Sequence, residues 1–324
     1  MDLLLSIIIP FYNVERFISE CLDSVFDQDI PLSEYEVICV NDGSPDHSRD
    51  IVLDYMERFP NLRLIEHEKN KKLGAARNTG RSIAQGRYIW NVDSDDKIVP
   101  NCLSELLRIC EENSLDVLEF RPVSFFGEEQ KGLPVVPLTQ YPISGLDYLE
   151  QLSAYEVSQM SSVWRRLIRR SFLDEKRLFS PEINMGEDVP FSFEVLMHAQ
   201  RFMSISRICY LYRLNPDSLT GDNWRPTAKS LYEKCFYNSK LIYKVAKTVP
   251  VNYIKVSHSF RMAATYTLNM YSLFLGKMSQ SERHLFRSMC RKSVIDNLFV
   301  VHIFSKKRLL SFVGWLTGII SEPK

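Results

Sequence analysis

An acidic cluster, a lone aspartate and an acidic pair are the groups in this sequence best suited to chemistry. The string "YIWNVDSDDK" at 88–97 runs five strand-forming residues directly into Asp93, Ser94, Asp95 and Asp96. Carboxylates this close repel one another unless a cation is brought to them. In an extended chain Asp93 and Asp95 point to one side and Ser94 to the other. The two carboxylates then make a partial site for a hard divalent ion, which takes oxygen ligands and leaves positions open for phosphates. Asp96 has a plainer use, because it stands before "VPNCLSELLRICEEN" and suits a helix cap. Asp42 in "VNDGSPD" can accept hydrogen bonds from a base or a ribose, or from the backbone of its own turn. "KNKKLGAARNTG" supplies Lys71, Lys72 and Arg77 around a glycine that allows a ligand close to the backbone, and it opens a helix whose N-terminus favours anions. Glu187 and Asp188 in "NMGEDVPFSFEVL" can handle a proton, and Asp188 can instead cap the helix that follows.

These groups need a frame, and the first part of the chain builds one by alternating two hydrophobic periods. "LLLSIIIPF" is a continuous apolar run ended by Pro10, after which Val14, Phe17, Ile18, Cys21, Leu22 and Val25 recur at helical spacing. "YEVICV" reads as a second strand, "NDGSPD" as a turn, and Ile51, Val52, Tyr55, Met56 and Phe59 as a second helix. "LRLIEH", "GAARNTGRSIAQG" and "RYIWNV" follow as strand, helix and strand. Repeated strand–helix units imply an α/β fold with a largely parallel sheet covered on both faces. Ligands bind such sheets beyond the carboxyl ends of the strands. "PFYN", "NDGS" and "DSDD" each follow a strand, so three polar loops are expected on one rim.

Beyond residue 115 the pattern weakens. Residues 116–150 read as irregular, rich in Pro, Gly and aromatics. "GLDYLEQLSAY" predicts a helix, "RICYLYRL" a strand, and the chain from about 225 onward a helical region. Trp164, Leu167, Ile168 and Phe172 in "SSVWRRLIRRSFL" keep helical spacing and predict a core helix.

Composition narrows the classes. The 324 residues contain 40 Lys and Arg against 40 Asp and Glu, so no global field draws the protein to nucleic acid. Seven scattered cysteines without a C-x-x-C pair argue against a disulfide framework or zinc knuckle and point to a reducing, cytosolic compartment. "MDLLLSIIIPFYN" lacks a basic start and a cleavage site, and reads as a strand rather than a signal peptide. No run of about 20 apolar residues is present to span a bilayer. "KKRLLSFVGWLTGII" near the C-terminus suits either a helix lying in the membrane interface or one packed on the core.

"SIIIPFYNVERFISECLDSVFDQ", "VICVNDGSPDHS", "NKKLGAARNTGRSIAQGRYIWNVDSDD" and "GEDVPFSFE", in this order and spacing, closely resemble the family 2 glycosyltransferases, densely over the N-terminal third and more loosely to about residue 220. The resemblance implies a GT-A fold with a C-terminal helical extension. It implies a donor subdomain at 1–115, an acceptor-side subdomain with the catalytic base at 116–222 and a helical region at 223–324. It implies an inverting transfer from a nucleotide-diphosphate sugar, usually UDP-linked, to a glycan or lipid-linked acceptor in bacterial surface-polysaccharide assembly at the cytosolic leaflet, with possible peripheral membrane attachment. Carried onto this chain, it puts Pro10, Tyr12 and Glu15 around the base and ribose and gives Asp42 the uracil. It counts Arg77 and Ser94 with the donor contacts, sets Asp93 on the nucleoside side, and makes Asp95 the ligand of Mn²⁺ or Mg²⁺, shared with Asp93 or Asp96. Asp188 becomes the base, with Glu187 in reserve. Arg213 in "YRLNPDSLT", with Ser218 and Thr220, would close over the diphosphate or form a surface turn. Trp164 would stack on a sugar, while Arg165-Arg166 departs from the Asn-Lys common in relatives.

Rival readings meet specific obstacles. A calcium-binding helix-loop-helix needs Gly where Ile98 stands. A dinucleotide-binding fold needs G-x-G-x-x-G after the first strand, and a haloacid-dehalogenase-type phosphatase needs a nucleophilic Asp there, but the chain has "PFYN". A non-catalytic subunit that kept the nucleotide pocket, and another metal-dependent nucleotide-sugar enzyme such as a sugar-phosphate nucleotidyltransferase, are the remaining alternatives.

Overall fold

The computed structural model describes residues 3–133, 137–153, 156, 162–183, 185–216 and 225–296. Strands β1 (Leu5–Phe11), β2 (Tyr35–Asn41), β3 (Leu62–Glu66) and β4 (Tyr88–Asn91) pair in parallel in the order β3-β2-β1-β4. Every residue of β1 and β2 is buried, which explains their unbroken apolar runs: a parallel strand covered on both faces has no solvent side to mark with polar residues. Alternation assigns the faces instead. Ile7, Ile9, Val37 and Cys39 pack with helices α1 (Ile18–Phe26), α2 (Ser48–Arg58) and α4 (Leu103–Glu112). Ile8, Ile38, Val40 and Ile89 join Ala76 of α3 (Leu73–Ile83) and the later helices on the opposite face.

The second half extends the same sheet. β5 (Lys97–Ile98), β6 (Val117–Phe126), β7 (Glu129–Gly132), β8 (Arg166–Arg169) and β9 (Phe202–Arg213) continue the order as β4-β8-β6-β9-β5, with β7 on the flank of β6. The β4–β8, β8–β6, β6–β7 and β9–β5 pairs are antiparallel, and β6–β9 is parallel.

Two expectations are corrected here. The segment 116–150 is not irregular throughout, because it contains the ten-residue β6. Its pattern is obscured by Glu119, Arg121 and Pro122, where the pairing with β9 shifts register. "SSVWRRLIRRSFL" is not one core helix: a short 3₁₀ turn at Val163–Arg165 leads into β8 and then helix α6 (Arg170–Glu175). Arg166 lies opposite Glu119 and forms a fully buried ion pair with it at 2.8 Å. Two complementary charges on neighbouring strands thus break the apolar alternation that would have announced them.

Helices α5 (Gly145–Gln151) and α7 (Asp188–His198) cover the second face, backed by Ala228–Tyr232, a π turn Glu233–Tyr237, and Asn238–Thr248. Ile254–Asn269, Tyr271–Leu275 and Gln280–Asp296 complete the described chain. All seven cysteine side chains are buried and unpaired. Among the described residues no helix is long and apolar enough to cross a membrane.

Candidate active site

Strand order reverses at β1, with β2 on one side and β4 on the other, so the crevice for a ligand opens beyond the carboxyl ends of these strands. Pro10 is buried within β1 opposite Val40, and the chain leaves the sheet through Tyr12, 47% exposed, and Asn13, whose φ is 57°. Four bonds tie this turn to the loop after β2: Asn13 N to Ser44 Oγ (3.2 Å), Val14 N to Ser48 Oγ (3.0 Å), Glu15 N to Asp46 Oδ2 (2.9 Å), and His47 N to Glu15 Oε2 (2.9 Å). Glu15 therefore braces two loops of the rim. A shallow hollow lined by Leu3, Tyr35, Asn61 and Arg63 lies at the opposite, amino-terminal rim.

Asp42 is almost wholly buried, and it does not close its own turn. Its Oδ1 accepts from Lys71 N at 2.7 Å and lies 2.7 Å from His67 Nδ1, while Oδ2 accepts from Lys72 N at 2.8 Å. The two-pronged grip holds Lys72 at φ 80°, a conformation rare for a residue with a side chain, as the N-cap of α3. Lys71 and Lys72 are left exposed beside that helix N-terminus. His67 Nε2 meets Thr79 Oγ1 at 2.9 Å, so a neutral ring can donate to Asp42 and accept from Thr79. His67 went unnoticed in the sequence. Its only mark was a polar residue closing "LRLIEH" next to the basic loop.

α3 is the hub of the site. Gly74 was expected to admit a ligand, yet a Cβ there would stand 2.1 Å from the carbonyl oxygen of Pro181, so this glycine admits protein backbone. Asn78 secures the same strap by bonding Ser180 O at 2.9 Å and accepting from Ser180 N at 3.0 Å. One turn of helix places Arg77 between the two acidic motifs. Its Nη1 donates to Glu187 Oε1 at 2.5 Å and its Nη2 to Asp93 Oδ1 at 2.8 Å, with the guanidinium buried. Arg77 thus joins the loop after β4 to the start of α7, although the two lie about ninety residues apart in sequence. Its fork is occupied by protein carboxylates, so its part is to position them.

This pairing separates the acidic pair. Glu187 is buried against Arg77, whereas Asp188 is half-buried at the first turn of α7. Neither side chain caps that helix, and the capping alternative for Asp188 is corrected: it lies inside the first turn, and the N-cap position falls to Glu187, which has helical backbone angles and no capping bond. The carboxyl of Asp188 is pushed up to about 7 by burial, reinforced by the neighbouring Glu187 charge and opposed by Arg77. Gly186, at φ 77°, makes the turn into the pair, and a Cβ there would collide with Asn238 Nδ2 at 2.3 Å. Asn238 in turn donates to Met185 O at 2.8 Å, so the C-terminal helices buttress the acidic pair directly.

The four residues of "DSDD" also divide. Asp96 is 1% exposed, its Oδ2 accepting from Tyr210 Oη at 2.7 Å and its Oδ1 from Arg213 N at 2.7 Å. It does not cap α4, whose first turn is served by Asp29 bonding Ser104 N at 3.0 Å. Tyr210 Oη also accepts from Asp93 N at 3.0 Å, pinning the loop from beneath, and Ser94 is buried. Nothing in the apolar strand "RICYLYRL" distinguished Tyr210 beforehand. Arg213 turns its Nε to Asp95 O at 2.7 Å and its Nη2 to Glu20 Oε2 at 2.9 Å, bracing the loop. Ser218 and Thr220 lie outside the described residues, as does the segment 306–324. Trp164 is 7% exposed and stacked on Tyr210 at 4.5 Å and Tyr212 at 5.5 Å, so it is not available to a sugar ring.

Asp95 is what remains for a cation. Burial and the charge of Asp93 push its carboxyl up to about 6, with Arg213 opposing the rise only in part, the mark of a negative charge incompletely compensated. Asp93, its side chain 24% exposed, spends one oxygen on Arg77. Among the described residues no three carboxylate, imidazole or thiol groups converge as a closed metal cage. Two carboxylates with open surroundings fit a Mg²⁺- or Mn²⁺-like ion that takes the rest of its shell from a diphosphate.

Residues 6–175 match the family model described as glycosyl transferase family 2. The chain is 36% identical to the uncharacterized glycosyltransferase EpsJ of Bacillus subtilis (strain 168) over 242 residues, 74% of this chain and 69% of EpsJ. It is 32% identical to a poly(ribitol-phosphate) beta-glucosyltransferase of Bacillus spizizenii over 215 residues, 66% of this chain but 32% of that relative. Among solved structures, S. aureus TarS 1-349 in complex with UDP-GlcNAc superposes with a TM-score of 0.69 at 20% identity, covering 98% of this chain and 88% of that one. The mannosyltransferase PcManGT from Pyrobaculum calidifontis, in complex with GDP-Man and Mn²⁺, gives a TM-score of 0.57 at 16% identity, over 98% and 84% of the two chains. These likenesses bear out the GT-A fold expected from the sequence.

Proposed function

The chain belongs to the family 2 glycosyltransferases, and from that premise we propose that it moves a sugar from a UDP-sugar to a hydroxyl of a glycan or lipid-linked acceptor, with inversion, in bacterial surface-polysaccharide assembly. The observation that carries the reading is the Arg77 fork, which ties Asp93 of the cation-suited loop to Glu187, the neighbour of the candidate base. UDP as the nucleotide is supported by the TarS complexes, and a polysaccharide acceptor by the names of the poly(ribitol-phosphate) relatives. Donor binding falls to 1–115, the base and acceptor side to 116–222, and docking to the helical 223–324, with the enzyme working at the cytoplasmic face of the membrane.

Asp188 acts as the base. A carboxyl titrating near 7 is ionised often enough at neutral pH to accept a proton and basic enough to take one from an attacking hydroxyl. Glu187 stays with Arg77 and keeps the helix start in register with the loop after β4. Pro10, Tyr12 and the loop held by Asp42 line the nucleoside side, and Lys71 and Lys72 stand where the α3 N-terminus meets the donor phosphates. Asp95, with Asp93, would hold Mn²⁺ or Mg²⁺, which supplies Lewis-acid neutralisation of the leaving diphosphate.

The reading is tested by incubating the protein with a panel of UDP-sugars in Mn²⁺ or in EDTA. UDP release or transfer with at least one donor, and a UDP-induced rise in melting temperature that needs both Mn²⁺ and Asp95, are the expected results. Equal melting shifts in Mn²⁺ and EDTA would remove the cation, and failure of every nucleotide sugar to bind would leave no donor site.

A further inference from the structure

Zero net charge hides a strong segregation. Residues 225–324 hold 17 of the 40 Lys and Arg but only 4 of the 40 Asp and Glu, a net charge of +13, and the preceding residues carry −13. Within this basic third the helix Ile254–Asn269 contains no acidic residue. At about 100° per residue, Arg261, Ile254, His258, Met262, Lys255 and Tyr266 fall in one arc of roughly 140°. All six are exposed, Ile254 at 74%, Tyr266 at 57% and Met262 at 45%. Val256, Phe260, Ala263, Ala264 and Leu268 occupy the opposite arc and are buried in the core. Val251, 91% exposed, continues the apolar line ahead of the helix.

A helix that has already buried one full face has no folding reason to display Ile, Met and Tyr on the other. Interleaved with Lys and Arg and free of acids, that face has the chemistry of a helix lying in a lipid headgroup layer. There apolar side chains enter the acyl boundary and cations meet anionic phosphates. We propose that the Ile254–Tyr266 face docks this protein onto an anionic bilayer surface. Soluble polyanions would engage the cations but give the apolar residues nothing to enter. A second copy of the chain would bring a like-charged face against this one. The proposal does not rest on the donor chemistry, and its test reads binding alone.

The full-length protein is sedimented with phosphatidylglycerol-containing and with pure phosphatidylcholine vesicles, over a salt series. Binding to the anionic vesicles that weakens with salt is expected. Lys255→Glu/Arg261→Glu should reduce it at least tenfold. Ile254→Ser/Met262→Ser should reduce it severalfold while leaving retention on immobilised polyphosphate unchanged, and Tyr141→Ser, an exposed aromatic elsewhere, should change neither. Melting curves check each variant, and either pair decides the matter if the other fails to fold. Wild-type binding by both pairs would overturn the proposal. So would polyphosphate binding as tight as vesicle binding and indifferent to the Ser pair, or a dimer that the Ser pair disperses in place of vesicle binding.

Discussion

Replacing Asp188 by Asn separates a base from a carboxylate that holds the fold together, because the two move stability in opposite directions. The carboxyl is raised from 3.8 to about 7, chiefly by burial. A raised carboxyl favours the folded state when protonated, so its contribution is fully present below the unfolded value near 4 and is lost as pH rises through about 7. Three units correspond to roughly 4 kcal/mol, and partial exposure brings this to about 2–4 kcal/mol. Asn keeps the shape and cannot ionise. The stability difference between Asp188→Asn and wild type, taken from urea melts, should therefore favour the variant and widen by about 1–2.5 kcal/mol between pH 5 and pH 8. Transfer should fall by about 10²–10⁴ with donor binding retained, and wild-type kcat/KM should rise with pH through an apparent pKa near 7. A gap that stays constant with pH, or a variant less stable than wild type at pH 8, would refute the reasoning and leave the carboxylate a structural group.

Arg77→Lys keeps the charge but cannot fork between two carboxylates; a loss of about 3–5 kcal/mol in denaturant melts and a raised KM for donor are expected. Tyr210→Phe removes the donor to Asp96 and the acceptor for Asp93 N, so stability should drop by about 1–3 kcal/mol and Mn²⁺-dependent nucleotide binding should weaken, both measurable by thermal shift. Gly74→Ala drives a methyl into the backbone of Pro181; about 1–3 kcal/mol of destabilisation, with reduced transfer as Glu187 is displaced, should appear in melts and turnover together.

Much of the donor half was legible in the chain. Buried parallel strands leave continuous apolar runs, and the turns after them leave "PFYN", "NDGS" and "DSDD", so local rules sufficed to put three loops on one rim. β6 and β8 were not legible, because Glu119 and Arg166 are core residues only as a pair, and neither predicts the other forty-seven positions away.

Sequence by itself thus determined which residue types were available and on which loops they sit. Tertiary structure alone decided their duties. It gave Asp96 to Tyr210 and β9, Asp42 to the backbone of Lys71 and Lys72, and Glu187 to Arg77, leaving Asp95 and Asp188 as the carboxylates without a full set of partners. The physical reason is that a carboxylate's role follows from what compensates its charge, and every compensating group here arrives from a distant part of the chain.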